Sequence, residues 1–276
     1  MQTLNFLFWN INAKNLVDEI GNIAATHQVD VLILAECGGL SDSALLLKLN
    51  EKETRYSANN PNSQCQKIKI FTRFHYNLIA PKMEGDRYTI RKLTLPQVES
   101  LNIVGWHLPD KGNHSPESQN QLASIYAQKI IDFEKENGDK TIVVGDFNMN
   151  PFEVGMIKAN GFNATMSSLI AADDEKTVGG EPYSFFYNPM WSLYGDVKNA
   201  VSGSYHYNNA ELVNYRWNIF DQVLIRPSLI ANFVKESIVI LDNDGIKSLI
   251  TKKGYPNKQQ YSDHLPLFFT LKLNEL

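Results

Sequence analysis

The sequence predicts an α/β fold on two observations. Residues 1–50 alternate between apolar strands and amphipathic stretches of helical periodicity, which is the β-α-β pattern. Residues 67–108 contain further apolar strands whose joints are too short for a helical crossover, so some of them pair in antiparallel fashion. The chain has 276 residues, 43% of them hydrophobic, and no linker-like segment. We therefore predict one domain over residues 1–276 with a substantial buried core.

The first strand is predicted at residues 3–10 (TLNFLFWN) and the second at residues 29–36 (VDVLILAE). A helix between them is indicated by three apolar side chains at helical spacing, Leu16, Ile20 and Ile23. A second helix follows the second strand. Ser41 or Asp42 can cap it, because a short side-chain oxygen accepts hydrogen bonds from the free N–H groups of a first turn.

The middle of the chain predicts four strands, at residues 67–74, 76–81, 88–95 and 101–108. A long helix then begins at the N-cap Ser115, with Pro116 in its first position, and ends at Gly138. Its expected apolar face comprises Leu122, Ile125, Ile130 and Phe133. The helix leads into another buried strand, KTIVVGDFN, at residues 140–148.

Residues 177–218 are rich in Tyr, Phe, Trp, Asn and Gly and have little periodicity. This composition predicts an elaborated loop over the rim of a site. Its aromatic side chains either stack on nucleobases or pack the loop onto the domain. Strands are expected again in three later segments, at residues 218–229, 236–244 and 263–273.

Composition limits the function. The formal net charge is −4, so no overall cationic field favours tight nonspecific binding of nucleic acid, and a phosphate group must be held by a metal or a few basic side chains. Cys37 and Cys65 are too few for a disulfide framework and lack zinc-ligand spacing. The N-terminus does not resemble a leader, and no apolar run reaches the ~18 residues of a membrane span. We therefore expect a cytoplasmic protein without stable membrane association.

Candidate site residues stand where apolar stretches end. Six such stretches each meet a carboxylate, carboxamide or imidazole at one end: Asn10, Glu36, His107, Asp146, Asp221 and the pair Asp263-His264. Polar groups gathered at strand termini are what a hydrolytic site requires. The segment VVGDFNMN, residues 143–150, is the most informative of these junctions.

Hydrolysis of a phosphodiester requires positive charge, an activated water and a donor near the leaving oxygen. Magnesium supplies the charge when one or two carboxylates hold it and leave water in its shell. Glu36 is the first candidate ligand and Asp263 the second, with Asn10 and Asp146 as neighbours that bind directly, through water or at a second ion.

Proton transfer and phosphate binding are assigned to the remaining polar groups. Asp146 can accept a proton from water and Asn148 can donate to the phosphate, because i, i+2 spacing on an extended chain places both on one side. His107 and His264 can take either protonation role near neutral pH, with Asp221 as the partner that orients His264. Imidazoles of ordinary pKa, ~6.5, predict that activity falls on acidification through that region.

These motifs resemble the endonuclease/exonuclease/phosphatase superfamily, which includes deoxyribonuclease I. The resemblance covers nearly the whole chain in six segments: WNIN at 9–12, LAE at 34–36, WHL at 106–108, GDFN at 145–148, FDQV at 220–223 and SDH at 262–264. It implies a four-layered α/β sandwich, in which two mixed sheets pack face to face with helices outside. The implied activity is metal-dependent phosphoester hydrolysis.

The resemblance also implies roles for individual residues. Asn10 and Glu36 would hold Mg²⁺ or Mn²⁺, with Asp263 close to the same ion. His264, paired with Asp221, would act as base or phosphate contact, and His107 would assist the phosphate or the leaving group. Asp146 and Asn148 would orient the nucleophile and stabilise the transition state. Arg87 stands where nuclease-like relatives place an arginine that contacts phosphate.

The leading hypothesis is a Mg²⁺- or Mn²⁺-dependent phosphodiesterase that acts on nucleic acid, most simply an endonuclease. A second hypothesis is a phosphatase or phosphodiesterase for a small or lipid phosphate, such as an inositol phosphate or sphingomyelin. A third is a binding module that keeps the fold without turnover. The intact set of polar groups speaks against the third, while the matched motifs do not name the substrate.

Overall fold

The structure, a computed structural model, describes residues 2–52, 55–58 and 63–275. Its α-helices are α1 (Val17–Thr26), α2 (Asp42–Leu49), α3 (Pro116–Asn137), α4 (Val154–Ile157) and α5 (Ser168–Ala171). Its strands are β1 (Gln2–Asn10), β2 (Val31–Ala35), β3 (Ser57–Ala58), β4 (Ile68–Thr72), β5 (Ile79–Gly85), β6 (Tyr88–Leu93), β7 (Leu101–His107), β8 (Thr141–Asp146), β9 (Ala164–Thr165), β10 (Glu175–Val178), β11 (Glu181–Ser184), β12 (Phe186–Tyr187), β13 (Tyr205–His206), β14 (Trp217–Asn218), β15 (Asp221–Ile225), β16 (Val239–Ile240) and β17 (Leu267–Leu273). Short 3₁₀ helices lie at Tyr76–Leu78, Pro189–Leu193, Pro227–Asn232 and Lys235–Ser237. Within the described ranges, no helix has the length and apolar character needed to cross a membrane.

The strands form two large mixed sheets. The first has the order β16-β17-β1-β2-β4-β3 and the second the order β5-β6-β7-β8-β15-β12-β9. In the first sheet β1 is parallel to β2 and antiparallel to β17. In the second sheet β7 is parallel to β8, which is antiparallel to β15. The predicted α/β class, with parallel pairing at the start of the chain and antiparallel pairing in its middle, is confirmed.

The two sheets pack against each other across an apolar core. A Cβ atom added at Gly105 in β7 would lie 3.2 Å from Ile68 and 3.4 Å from Ile33 of the first sheet, so the sheets approach closely at this glycine. Ile103 and Val144 of the second sheet belong to the same apolar cluster as the side chains of the first sheet and α1. Burial of this cluster is the main stabilising contribution to the fold.

The outer face of the second sheet carries a separate apolar cluster. Val104 and Val143 alternate with the inward-facing residues of β7 and β8 and pack with Ala127 and Ile130 of α3. Because successive strand residues point to opposite faces, each strand serves both clusters. The layers are therefore helix, sheet, sheet and helix, and the four-layered sandwich implied by the resemblance is confirmed.

The packing of α3 corrects one expectation. The helix begins at the N-cap Ser115 as expected, but Ile125 is 54% exposed and does not belong to its buried face. Ala123 and Ala127 are buried instead. Small side chains let the helix axis approach the sheet, so the buried face is rotated from the one that the largest apolar residues indicate.

The aromatic segment is also more regular than expected. Residues 175–184 form an exposed hairpin of β10 and β11, and β12 joins the second sheet between β15 and β9. The part that reaches the rim of the site is residues 205–218, where β13 and β14 form a second hairpin. The prediction of a single irregular loop over residues 177–218 was therefore wrong in its extent.

Candidate active site

The polar residues that end the strands meet at one edge of the sandwich. In the first sheet Asn10 is the register partner of Ala35, so Glu36 follows directly beside it. In the second sheet Asp146 is the register partner of both His107 and Asp221. A cavity of about 660 Å³ opens at this edge. Six of the predicted residues line it: Glu36, His107, Asp146, Asn148, Asp263 and His264.

Asp146 is the centre of the site. Its side chain is 1% exposed, and its Oδ2 atom accepts a hydrogen bond from Asn10 Nδ2 at 3.0 Å. The same oxygen lies 3.7 Å from His107 Nε2 and 3.9 Å from His264 Nε2. Its other oxygen, Oδ1, accepts the backbone N–H of Asn148 at 2.8 Å. Donors from both sheets therefore converge on one buried carboxylate.

The first sheet contributes two carboxylates to the cavity, Glu36 and Asp263. Asn10 Nδ2 also donates to Glu36 Oε1 at 3.1 Å, and Asn10 Oδ1 accepts the backbone N–H of Asn12 at 3.0 Å. Asn12 Nδ2 in turn donates to Asp263 Oδ1 at 2.9 Å. A continuous chain of amide groups thus holds these two carboxylates around the same cavity.

The His264 imidazole forms a buried pair with Asp221. His264 Nδ1 lies 2.8 Å from Asp221 Oδ2 and 3.1 Å from Oδ1, and Asp221 is 0% exposed. Burial alone lowers the pKa of His264, but the charges of Asp221 and Asp146 outweigh it and raise the pKa to about 10. Burial raises the pKa of Asp221. His264 therefore keeps its proton near neutral pH, unlike the imidazole of ordinary pKa assumed from the sequence.

Two side chains that sequence reasoning missed fix the backbone of His264. Trp9 Nε1 donates to the His264 carbonyl oxygen at 2.9 Å. Ser262 Oγ accepts the His264 backbone N–H at 3.1 Å and donates to the Asn10 carbonyl oxygen at 2.6 Å. Ser262 was visible as the first residue of SDH, but its bond to the end of β1 requires the folded chain.

His107 lies on the opposite side of Asp146 from the His264–Asp221 pair in the register of the sheet. Its Nε2 atom is 3.2 Å from Glu36 Oε1, so this imidazole bridges the carboxylates of the two sheets. Its Nδ1 atom is buried without a hydrogen-bond partner. An unpaired polar atom in a buried position is energetically costly.

Asn148 reaches the cavity by a different route from the one expected. Its φ is +51°, so the chain turns after Asp146 and does not stay extended. Asn148 Nδ2 donates to the Leu108 carbonyl oxygen at 2.9 Å, and Gln119 Nε2 donates to the Asn148 carbonyl oxygen at 3.1 Å. The extended geometry inferred for residues 146–148 was wrong, although both side chains line the same cavity.

Arg87 does not line the cavity. Its Nη1 atom donates to the His107 carbonyl oxygen at 3.5 Å, and its own carbonyl oxygen accepts the His107 backbone N–H at 2.9 Å. The guanidinium is therefore placed against the backbone of β7, at the turn before Tyr88. In this position Arg87 supports the strand that carries His107, and its contact with a phosphate stays a prediction.

Two groups of side chains offer ligands for a divalent cation. Asp146, Asp221 and His264 have ligand atoms within 4.8 Å of one another. His264 Nδ1, however, is already paired with Asp221, so this group has one fewer free ligand atom. Glu36 and Asp263 offer carboxylate oxygens on the cavity wall, and the Glu36 side chain is 34% exposed. Hard oxygen donors beside solvent fit a magnesium ion that keeps part of its water shell.

Comparison with known proteins identifies the family. A model described as the Endonuclease/Exonuclease/phosphatase family matches residues 7–264, from β1 to the closing histidine. The chain belongs to the Endonuclease/Exonuclease/phosphatase family. The resemblance inferred from the motifs is thus confirmed, and this family consists of metal-dependent phosphoester hydrolases. No curated protein sequence matches the chain.

Solved structures of this family share the fold at low sequence identity. Truncated TDP2 from Caenorhabditis elegans is 14% identical with a TM-score of 0.58, over 98% of this chain and 97% of that one. A family protein from Bacteroides thetaiotaomicron is 12% identical with a TM-score of 0.56, over 98% and 95%. The human Nocturnin catalytic domain with bound sulfate is 14% identical with a TM-score of 0.53, over 99% and 95%.

Asn150 is a further site residue that the sequence did not single out. It follows the GDFN motif and is 1% exposed. Its Nδ2 donates to Asn218 Oδ1 at 2.9 Å, while its Oδ1 accepts the Ile219 backbone N–H at 3.0 Å and the Tyr194 hydroxyl at 2.7 Å. Asn150 therefore joins the loop after β8 to the hairpin of β13 and β14.

Proposed function

We propose that this protein is a metal-dependent phosphodiesterase that hydrolyses nucleic acid. The observation that carries the proposal is the convergence of Asn10, His107 and His264 on the Asp146 carboxylate at 3.0, 3.7 and 3.9 Å. Three polar side chains, from the ends of β1 and β7 and from the segment before β17, surround one buried acid beside the cavity. Such a set can bind and activate a water molecule next to a phosphate group.

Glu36 would hold the metal with Asp263, and Asn10 would complete the site. A bound divalent cation supplies positive charge to the phosphate oxygens and the leaving oxygen. Asp146 accepts the proton of the attacking water. Because a carboxylate can only accept, the proton of the His264–Asp221 pair lies on Nδ1 of His264, and a second proton on Nε2 is available to a phosphate oxygen.

The charge of the cavity favours a diester over a heavily phosphorylated small molecule. Among its described lining residues, Lys111 is the one lysine or arginine, and it is already paired with Glu153. Four carboxylates line the same cavity: Glu36, Asp110, Asp146 and Asp263. A substrate with several phosphate groups needs several cations, whereas one diester phosphate needs the metal and one or two donors.

The test is a substrate panel with the purified protein. Single-stranded and duplex oligonucleotides, an inositol polyphosphate and sphingomyelin vesicles are incubated with Mg²⁺, Mn²⁺ or EDTA. We expect oligonucleotide cleavage that EDTA abolishes. Asp146→Asn should lower kcat by roughly 10²- to 10⁴-fold, the contribution of a general base. The exposed Asp173→Asn is the matched control and should retain the wild-type rate.

Three other outcomes would contradict the proposal. Release of inorganic phosphate from the inositol compound alone would assign the site to a phosphatase. Cleavage of sphingomyelin alone would assign it to a lipid phosphodiesterase. Binding of the oligonucleotide without cleavage of any substrate, with either Mg²⁺ or Mn²⁺, would indicate a binding module that has the fold of this family but no catalytic activity.

A further inference from the structure

One wall of the cavity is formed by residues 205–218, here called the rim hairpin. Tyr205 pairs with Asn218 and His206 with Trp217, and the Tyr207 backbone N–H donates to the Arg216 carbonyl oxygen at 2.8 Å. The catalytic groups assigned above make no use of this wall. Its side chains are nevertheless among those nearest to any substrate that fills the cavity.

A row of aromatic rings leads outward from the catalytic imidazole along this hairpin. The centroid of Tyr205 lies 4.7 Å from that of His264 and 5.2 Å from that of Phe220. Tyr207 follows β13 directly, and its ring centroid lies 6.4 Å from that of Tyr205 with an interplanar angle of 13°. Tyr207 lines the cavity and is 51% exposed, so its ring is available at the mouth.

A second exposed ring lies on the returning part of the hairpin. Tyr215 also lines the cavity and is 61% exposed. The Tyr215 ring packs edge-on against the ring of Phe152, with a centroid distance of 5.2 Å and an interplanar angle of 61°. Two exposed aromatic rings on one cavity wall offer flat, apolar faces to a planar binding partner.

The rim hairpin is ordered by its own hydrogen bonds. Asn214 Nδ2 donates to the Asn209 carbonyl oxygen at 3.3 Å, and Asn214 Oδ1 accepts the Arg216 backbone N–H at 2.8 Å. Asn218 is bound to Asn150 in the loop after β8. The backbone that carries the two rings is therefore held by hydrogen bonds before a substrate arrives, which lowers the entropic cost of binding.

We infer that Tyr207 stacks on an unpaired nucleobase that flanks the scissile phosphate, with Tyr215 as a second stacking surface. The substrate class is then single-stranded nucleic acid, such as a free end or a loop. Base faces are accessible in a single strand but buried in a duplex. A duplex backbone is bound by a row of cationic side chains. Among the described residues that line this cavity, Lys111 is the one lysine or arginine, so such a row is not present there.

This inference rests on the proposed function, and the experiment separates the two. Cleavage rates are measured for wild type, Tyr207→Ala and Tyr207→Phe on three substrates with Mg²⁺. The substrates are a single-stranded oligonucleotide, the same oligonucleotide with an abasic site next to the cleaved bond, and methyl para-nitrophenyl phosphate, a diester without a nucleobase. The exposed Tyr76→Ala, on a 3₁₀ helix outside the cavity, is the matched control.

We expect Tyr207→Ala to raise KM for the oligonucleotide by about tenfold, since one stacked base contributes a factor of that order. Tyr207→Phe should restore the wild-type KM, because stacking needs the ring and not the hydroxyl. The KM for the abasic substrate should be the same for wild type and Tyr207→Ala, because this substrate has no base for Tyr207 to stack on. Turnover of the small diester should be the same in all four proteins.

Each alternative result has a distinct meaning. Equal KM values for wild type and Tyr207→Ala on the intact oligonucleotide would overturn the stacking role. In the substrate panel described above, faster cleavage of duplex than of single strand would overturn the single-stranded substrate class. A wild-type protein that hydrolyses the small diester but no oligonucleotide would overturn the substrate class. No hydrolysis of either diester would overturn the proposed function itself.

Discussion

The Asn10 amide joins the two sheets by donating to the Asp146 carboxylate at 3.0 Å. Asn10 ends one of the two central strands of the first sheet, and Asp146 ends the central strand of the second. The same amide donates to Glu36 at 3.1 Å. The candidate site is consequently complete only after the sheets have packed, and neither sheet carries it alone.

Asn10→Asp should destabilise the metal-free protein. The change replaces a donor between Glu36 and Asp146 with a third carboxylate, and loss of a hydrogen bond to a charged group costs about 1.5–3 kcal/mol. The free energy of unfolding in EDTA, measured by urea denaturation, should fall by at least this amount. Added Mg²⁺ should recover part of the loss. The exposed Asn160→Asp, measured in parallel, should change little.

Asp221→Asn should reduce kcat by roughly 10³-fold while leaving the fold intact. The carboxylate fixes the proton on His264 Nδ1, and an amide in its place allows the wrong tautomer. Oligonucleotide cleavage under saturating substrate measures the effect, and circular dichroism verifies the fold. A kcat within threefold or so of wild type would show that the His264 tautomer does not matter to the reaction.

The His264–Asp221 pair should also make stability depend on pH. The pKa of His264 is raised to about 10 from its ordinary value of 6.5, so the stabilisation is complete below pH 6.5 and is lost as the pH rises toward 10. The Tm of the wild type in EDTA should fall across this interval. In Asp221→Asn the carboxylate that raises the pKa is gone, and the fall should be smaller. If the Tm of wild type and of Asp221→Asn fell equally with rising pH, the result would contradict an electrostatic pairing of His264 with Asp221.

Glu36→Gln should weaken metal binding without unfolding the protein. A ligand that binds only the folded state raises its stability by about 2.7 kcal/mol at a concentration of 100 Kd, so Mg²⁺ should raise the Tm of the wild type. The same Mg²⁺ titration should produce a much smaller shift in Glu36→Gln. Glu117→Gln, an exposed change in the first turn of α3, serves as the control. An unchanged Mg²⁺ response in Glu36→Gln would place the cation elsewhere.

The sequence contained enough information to predict the framework of the site. Apolar runs that end at Asn10, Glu36, His107 and Asp146 predicted strands with polar termini, and those residues do stand at one edge of the sandwich. The signal is strong because a strand buried on both faces reads as a nearly continuous apolar run, so the polar residue that ends the run is easy to recognise. The roles of these groups in turnover stay predictions for the experiments above.

Features that depend on distant contacts could not be predicted in the same way. The turn at Asn148 follows from a positive φ that its local sequence does not require. The position of Arg87 against the backbone of β7 depends on strand register. Asn150 acquires its importance from partners about 40 to 70 positions away, Tyr194 and Ile219. Local pattern carries no information about such pairings, which tertiary packing decides.

The backbone at Glu36 has a wider consequence. Its φ of +53° is a conformation that glycine adopts freely, while a residue with a long side chain is disfavoured there by about 1–2 kcal/mol. Glycine at this position would relax the chain and remove the carboxylate in one step. Glu36→Gly should therefore raise the stability of the metal-free protein while it removes a candidate metal ligand, so heat resistance and metal binding make opposite demands on this position.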